Sequence, residues 1–375
     1  MSKAMLIGVP KEIKDNEYRV GLTPACVREL ISRGHQVMVQ AGAGAALGLS
    51  DAQYEAAGAK LAADAKAVYD GAQMIVKVKE PQPRELGLLK PGQILYAYLH
   101  LAADRELTAA LLKSGAVCIA YETVTGPDGG LPLLAPMSEV AGRMSVQVAA
   151  AYLEKPHGGM GLLLGGVPGV APAHIVVIGA GVVGANAAQI AVGMGARVTV
   201  LDKNIDRLRH LGSMYGNQVV TVYSSADSIE RALLSADAVI GAVLVPGAEA
   251  PKLVTRAMLA RMKAGSVLVD VAIDQGGCAE TSRPTSHTDP TYVVDGVLHY
   301  CVTNMPAAVA RTSTFALNNA TIGYAMALAD KGWSRALSDD PCLRAGLNIC
   351  RGSVTYPAVA SAHGYAHVPA EQVLA

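Results

Sequence analysis

The chain has 375 residues, enough for two domains, and its 31 Lys+Arg balance 31 Asp+Glu. The even charge argues against a nucleic-acid footprint and against a polybasic membrane patch. With 39 glycines, one Phe and one Trp, the composition suits an α/β enzyme built on small aliphatic residues, not a base-stacking surface. Six cysteines (26, 118, 278, 301, 342, 350) form no CxxC pair and no Cys/His cluster at zinc spacing. They read as reduced core residues of a cytoplasmic protein, and no metal site is expected. The first residues lack the apolar core of a signal peptide.

The N-terminal third alternates β-rich runs with helical patterns. Met5–Val9 reads as a strand, and Thr23-Pro24 starts a helix through Arg33 that Gly34 ends. A strand Val37–Gln40, helices Asp51–Ala57 and Ala62–Asp70, and strands Gln73–Val78 and Gln93–Tyr98 come next. A helix Asp104–Lys113 and a strand Ala116–Ala120 complete the series. This βαβ alternation predicts a parallel, doubly wound sheet. Pro127–Pro136 is a turn-rich boundary, a long helix runs from Met137 to about Glu154, and Pro156–Gly169 is a glycine-rich loop.

The next stretch organises the chain. Ile175–Ile178 is a β-branched run, Gly179, Gly181 and Gly184 form a GxGxxG turn, helical spacing follows, and Val198–Leu201 ends on Asp202. Strand, glycine turn, helix, strand and acid together form a dinucleotide-binding signature. Gly179 allows the sharp turn, Gly181 lets backbone approach a pyrophosphate, and Gly184 lets helix pack on strand. The helix N-terminus favours the phosphates, and Asp202 suits a ribose hydroxyl. A carboxylate there repels a 2′-phosphate, so the reading is NAD, with Arg207 nearby as a counterweight. Residues 175–196 carry no charge and match a bilayer span in length, yet the glycine turn splits them into a buried strand and helix.

Further strands are expected near 218–222, 238–243 and 266–271, with helices at 226–234 and 252–263 between them. The chain leaves this domain around 298–306. A helix from about Ser313 to Lys331 and the tail to Ala375 have no strand series of their own, so the C-terminus is expected to pack back on the first domain.

Four polar residues lie where strands or turns end, the edge at which open α/β sheets bind ligands. Arg19 can grip a carboxylate with two parallel hydrogen bonds, or it can be a solvated surface arginine paired with Glu17 or Asp15. Lys79 and Lys77 alternate through one β run, and either can face a ligand. His100 is a general acid/base candidate or a satisfied core histidine. Asp274 lies past a strand end before Gly276-Gly277, which let backbone approach a ligand, whereas Asp270 inside the strand suits a structural hydrogen bond. No GxSxG, GxxxxGK[ST] or HExxH occurs.

Taken together, these segments resemble the alanine dehydrogenases. GVPKEIKDNEYRVGLTP (8–24), VKVKEP (76–81), YLHLA (98–102) and APMSEVAGRMSVQ (135–147) carry the likeness. So do GGVPGVAPAHIVVIGAGVVG (165–184), LDKNIDRL (201–208), IGAVLVPGAEAPKLV (240–254), DVAIDQGGCAETSRPT (270–285) and CVTNMPAAV (301–309). The resemblance covers the chain to about residue 335. It implies two doubly wound Rossmann-like α/β domains. An NAD-binding domain (134–307) would be inserted into a flavodoxin-like substrate domain (1–133 and 308–375).

It further implies reversible NAD-dependent deamination of L-alanine to pyruvate and ammonia, in a cytoplasmic homohexamer. Arg19 and Lys79, in preference to Lys77, would hold the substrate, and His100 and Asp274 would handle protons. Ser138, Asp202, Arg207, Ser224 and Arg283 match the family's NAD contacts. The backbone around Val182, Val183, Val243, Leu244, Val271, Ala272, Ile273, Asp274, Val302, Thr303, Asn304 and Met305 matches them too. The family often has Lys where this chain has Arg207. The rivals are the NAD-binding subunit of a proton-translocating transhydrogenase, a non-catalytic NAD-binding protein and a saccharopine dehydrogenase. The first would need a membrane partner, and the second would have no need of all four polar residues.

Overall fold

A computed structural model describes residues 4–243 and 249–374. The chain divides into two compact units, Met1–Pro136 with Val309–Ala375, and Met137–Ala308.

In the first unit the strands are β1 (Leu6–Val9), β2 (Gln36–Gln40), β3 (Lys60–Ala62), β4 (Met74–Val76), β5 (Ile94–Ala97) and β6 (Val117–Ala120). They lie in the order β3-β2-β1-β4-β5-β6, all parallel. The five strands legible in the sequence take the 2-1-3-4-5 order of flavodoxin-like sheets. The short β3 extends that edge. It occupies the start of the expected 62–70 helix, which begins instead at Ala65, where the Asp64 carboxylate accepts the Ala67 N–H at 2.8 Å. Parallel strands covered on both faces are apolar throughout, as Met74–Val76, Ile94–Ala97 and Val117–Ala120 show by complete burial.

In the second unit β7 (His174–Ile178), β8 (Arg197–Asp202), β9 (Val219–Tyr223), β10 (Ala238–Gly241), β11 (Val267–Asp270), β12 (Thr291–Val294) and β13 (Val297–Tyr300) form one sheet. Its order is β12-β13-β11-β10-β7-β8-β9, parallel except for β12. The β12–β13 hairpin was not anticipated. The expected 252–263 helix shrinks to Arg256–Leu259, started by Thr255. Residues 250–254 instead bond the backbone of the turn after β11, with Ala250 N–H donating to Gln275 O and Leu253 N–H to Cys278 O.

The C-terminal segment departs from its expected lack of strands. Here β14 (Leu347–Cys350) runs antiparallel beside β6, and β15 (Ser353–Val354) follows it at the edge of the first sheet. Helix Ala310–Lys331 also secures the stretch after Arg19. The Asn318 side chain accepts the Thr23 N–H at 2.7 Å and donates to Val20 O at 3.2 Å. All six cysteines are free, and five are buried.

Candidate functional site

Both sheets reverse strand order at a switch point, between β1 and β4 in one and between β7 and β10 in the other. Crevices beyond the carboxyl ends of such strands are where α/β sheets take ligands.

At the first switch point the chemistry sits on buried charges. Arg19 is only 2% exposed, so it is not a solvated surface arginine. Its Nε and Nη2 donate to the two Glu17 oxygens at 2.7 and 2.5 Å. Burial disfavours the guanidinium charge, but the Glu17 carboxylate outweighs that and raises its pKa. Glu17 thus takes the Nε/Nη2 edge of the guanidinium fork.

Lys77 is fully buried, with Nζ 2.9 Å from Glu85 Oε1 and 3.1 Å from Glu12 Oε2. Burial works against its charge, and the two carboxylates more than offset it. Lys77 is therefore a structural cation, which leaves the half-buried Lys79 as the lysine beyond the strand end. Glu12 Oε1 accepts the N–H of Val78 at 2.7 Å and of Lys79 at 3.3 Å, tying the segment after β1 to the exit of β4. Three buried carboxylates (Glu12, Glu17, Glu85) face two buried cations, Arg19 and Lys77. Burial, only partly countered by Lys77 and reinforced by Glu17 and Glu85, pushes the Glu12 carboxyl above its usual range.

His100 lies three residues past β5, exposed, at φ 49°, in the left-handed region. Its ring stacks on Tyr98 at 5.9 Å between centroids with planes 8° apart. The Tyr98 hydroxyl is anchored on Leu133 O at 2.5 Å. Glu122, beyond β6, accepts the N–H groups of Leu99 and His100.

The second switch point is shaped by glycine. Gly179 has φ 108°, and a Cβ there would lie 2.5 Å from Ala242 O. A Cβ on Gly184 would overlap the Gly179 carbonyl oxygen. Neither reason holds for Gly181, which has φ −72° and only the tip of Arg207 within reach, at 3.7 Å. Among the described residues nothing else comes within 4 Å, so the missing side chain leaves the backbone open to approach. That fits a pyrophosphate at the N-terminus of helix Val182–Gly193. Val182 is exposed and Val183 half-buried in its first turn.

Asp202 closes β8 and braces the turn, with Oδ2 accepting the Ala180 N–H at 2.6 Å and Oδ1 the Asn204 N–H at 2.7 Å. An ionised carboxylate offers about four acceptor positions, so capacity remains for a ribose hydroxyl. Arg207 Nη1 is 4.0 Å from Asp202. Together with Ala180, Ala185, Asn204, Asp206, His210 and Leu211 it lines a cavity of about 300 Å³ beside the turn.

Most of the remaining expected residues that the structure describes fall at the carboxyl ends of this sheet or in the turns beside them. Ser224 is buried after β9, with its N–H on Asp202 O at 3.0 Å, and Val243 follows β10. Leu244 lies outside the described residues. Val271, Ala272, Ile273 and Asp274 form a 3-10 turn after β11, with Asp274 exposed. Asp270 is completely buried and accepts from the N–H groups of Ala272 and Cys278 and from the Ser282 hydroxyl. Gly277 is needed internally, since a Cβ would crowd Ser282 and Asp270, whereas Gly276 opens on free space. Lys252, unmentioned in the sequence reading, caps this turn through the carbonyls of Gly276 and Gly277 at 2.5 and 2.8 Å.

Arg283 lies 4.0 Å over the Tyr292 ring. Val302 and Thr303 run beside Thr285, Asn304 has φ 57°, and Met305 opens a 3-10 turn. Ser138 sits half-buried in the first turn of helix Ala135–Tyr152. Sequence reasoning passed over Glu12, Glu122 and Lys252. Glu12 and Glu122 had a visible signal, an acid two or three residues beyond an apolar run.

The family models "Alanine dehydrogenase/PNT, N-terminal domain" and "Alanine dehydrogenase/PNT, C-terminal domain" match residues 8–141 and 145–357. Alanine dehydrogenase of Halomonas elongata is 63% identical over 370 residues, 99% of this chain and 100% of that one. Alanine dehydrogenase of Bacillus subtilis is 56% identical over 371 residues, 99% and 98% of the two chains. A solved L-alanine dehydrogenase superposes with a TM-score of 0.94 at 51% identity, covering 96% of this chain and 99% of its own. A transhydrogenase from Sinorhizobium meliloti is more distant, with a TM-score of 0.80 at 26% identity over 94% and 99% of the chains.

Proposed function

The chain belongs to the alanine dehydrogenase/PNT family, and from that premise we propose that it interconverts L-alanine with pyruvate and ammonia. The carrying observation is full-length identity of 63% to an alanine dehydrogenase, against 26% to the transhydrogenase. When bound, NAD would supply the hydride chemistry, as acceptor for deamination and, reduced, as donor for amination.

The protein's own side chains supply the rest of the chemistry. Arg19 fixes the substrate carboxylate, and Lys79 hydrogen-bonds and polarises the carbonyl oxygen of pyruvate. Ammonia adds to that carbon, and His100 moves protons so that water leaves and an iminium forms. Asp274 orients water or ammonia and stabilises the developing positive charge. The first unit is the substrate domain and the second the NAD domain. There the glycine turn, Asp202, Arg207, Ser224, Arg283 and Ser138 hold the dinucleotide, together with the backbone at 182–183, 243–244, 271–274 and 302–305.

We further place the enzyme in the cytoplasm as a homohexamer. No helix among the described residues is long and apolar enough to cross a membrane.

The test follows NADH absorbance with pyruvate and ammonium, then with pyruvate alone. Oxidation only when ammonium is present is expected. Unchanged oxidation without it would make the chain a hydroxy-acid dehydrogenase. His100→Ala should depress kcat with NADH binding intact.

A further inference from the structure

We propose that Glu122 is the positioning residue that sets the orientation of His100. The inference rests on the reading of His100 as the proton-handling group. Strands β5 and β6 are parallel neighbours with Ala97 opposite Ala120, and both chains leave the ladder there. Tyr98 still donates its N–H to Val78 O at 3.1 Å. The next two N–H groups have no strand to meet and turn to one carboxylate. His100 donates to Glu122 Oε1 at 2.6 Å, and Leu99 donates to both oxygens at 3.3 and 3.2 Å. Hydrogen bonds to an ionised acceptor are the stronger kind.

The clamp coincides with an unfavourable backbone state. His100 has φ 49° and ψ 40°, a conformation that crowds the Cβ of an L-residue and persists only where surroundings over-determine it. Two successive N–H groups converging on one carboxylate supply that determination. The left-handed turn lays the imidazole over the Tyr98 ring, 5.9 Å between centroids and 8° from parallel. Tyr98 is itself held by Leu133 O and by edge contact with Tyr121 at 5.1 Å. Were the clamp released, the backbone would relax toward a common region and swing the Cβ and ring off Tyr98. Glu122 thus acts through His100.

The experiment is a double-mutant cycle of Glu122→Gln and His100→Ala, read as kcat for amination, with NADH affinity and the unfolding midpoint measured alongside. A misplacement of about 1 Å at a reacting group costs up to about 100-fold in rate. Glu122→Gln alone should therefore lower kcat by roughly 10- to 100-fold, with little change in NADH affinity. In the His100→Ala background the same substitution should change kcat by less than about twofold, since the group it positions is gone.

Multiplying losses in the double variant, or full activity of Glu122→Gln alone, would overturn the positioning role while leaving the role of His100 intact. Wild-type turnover in His100→Ala would overturn both, and is recognised from that single variant. If Glu122→Gln is unfolded at the assay temperature, Glu122→Asp takes its place. It keeps the charge but withdraws it by one methylene, and the same outcomes apply.

Discussion

The two sheets share a strand order around their switch points, 3-2-1-4-5 once the short β3 is counted, yet they are equipped in opposite ways. The first carries charged side chains sunk among the strand ends, with Lys77 between Glu12 and Glu85 and Arg19 against Glu17. The second carries almost no charge at its turn and relies on backbone N–H groups and three glycines braced by Asp202. A buried ion network fails by subtraction, because each member's removal strands a desolvated partner. A glycine turn fails by addition, because a single methyl group occupies space reserved for backbone or ligand.

The largest effect should come from subtraction in the first unit. Lys77→Met preserves length and apolar volume but leaves Glu12 and Glu85 buried without their cation. A loss of about 3–5 kcal/mol is expected in urea unfolding. A loss below about 1 kcal/mol would show that the cluster tolerates its own charge and would erase the contrast between the two sheets.

Addition in the second unit comes next and separates two glycines. Gly184→Ala drives a Cβ into the Gly179 carbonyl and should cost about 3 kcal/mol together with NADH binding. Gly181→Ala fits the protein, with its nearest neighbour at 3.7 Å, so the unfolding midpoint should hold to within about 0.5 kcal/mol. NADH affinity should nevertheless fall about tenfold or more. If Gly181→Ala bound NADH as tightly as the parent, the pyrophosphate would have to lie elsewhere.

The same contrast governs what could be read from the sequence. The glycine turn was legible because most of its causes are local: Gly184 and Asp202 act within one βαβ unit, as does the positive φ of Gly179, and spacing exposes all three, although Gly179 also leaves room for Ala242. Arg19 and His100 were visible as polar residues at strand ends, but burial was not, so local pattern slightly favoured a surface arginine. Lys77 and Lys79 could not be separated by pattern, since their difference lies in Glu85, eight residues further on, and in Glu12. Glu122 reaches His100 only because β5 and β6 are neighbours. The strands β14 and β15 escaped notice because four- and two-residue runs owe their structure to pairing, β14 with β6 and β15 with β14. Local rules thus revealed the dinucleotide half, while the charged half depended on which strands lie side by side.

Acidity offers a finer probe. The raised pKa of Glu12 means that the folded first unit holds a proton the unfolded chain has released. That contribution is complete below the ordinary value of 4.5 and is lost as pH rises through the folded one. In the second unit burial lowers the pKa of His174 and of His299. Below their ordinary value of 6.5 the unfolded chain takes up protons that the folded state refuses, so stability is lost as pH falls through that range. Between pH 7.5 and about 5.5, hydrogen exchange corrected for intrinsic rates should therefore speed up in β7 and β13 more than in β1 and β4. Equal acceleration in both sheets would contradict the assignment.

The smallest effect tests a place where the second unit, like the first, relies on a charged side chain. Arg283 is expected at the dinucleotide, and its guanidinium rests 4.0 Å above the Tyr292 ring, while its N–H donates to the Tyr292 hydroxyl at 2.8 Å. The ring also stacks on His299 at 4.9 Å between centroids, and the hydroxyl donates to Thr281 O at 2.9 Å. Tyr292 therefore holds a cation by its ring and a backbone by its hydroxyl. An exposed cation–π contact contributes about 0.5–1 kcal/mol, equivalent to about two- to fivefold in affinity. Tyr292→Leu removes both supports and should weaken NADH binding by about that factor. Tyr292→Phe keeps the ring and should retain most of the affinity while losing stability. The reverse ranking in fluorescence titration would mean that the hydroxyl, through the backbone of Arg283, and not the aromatic face, orients this residue.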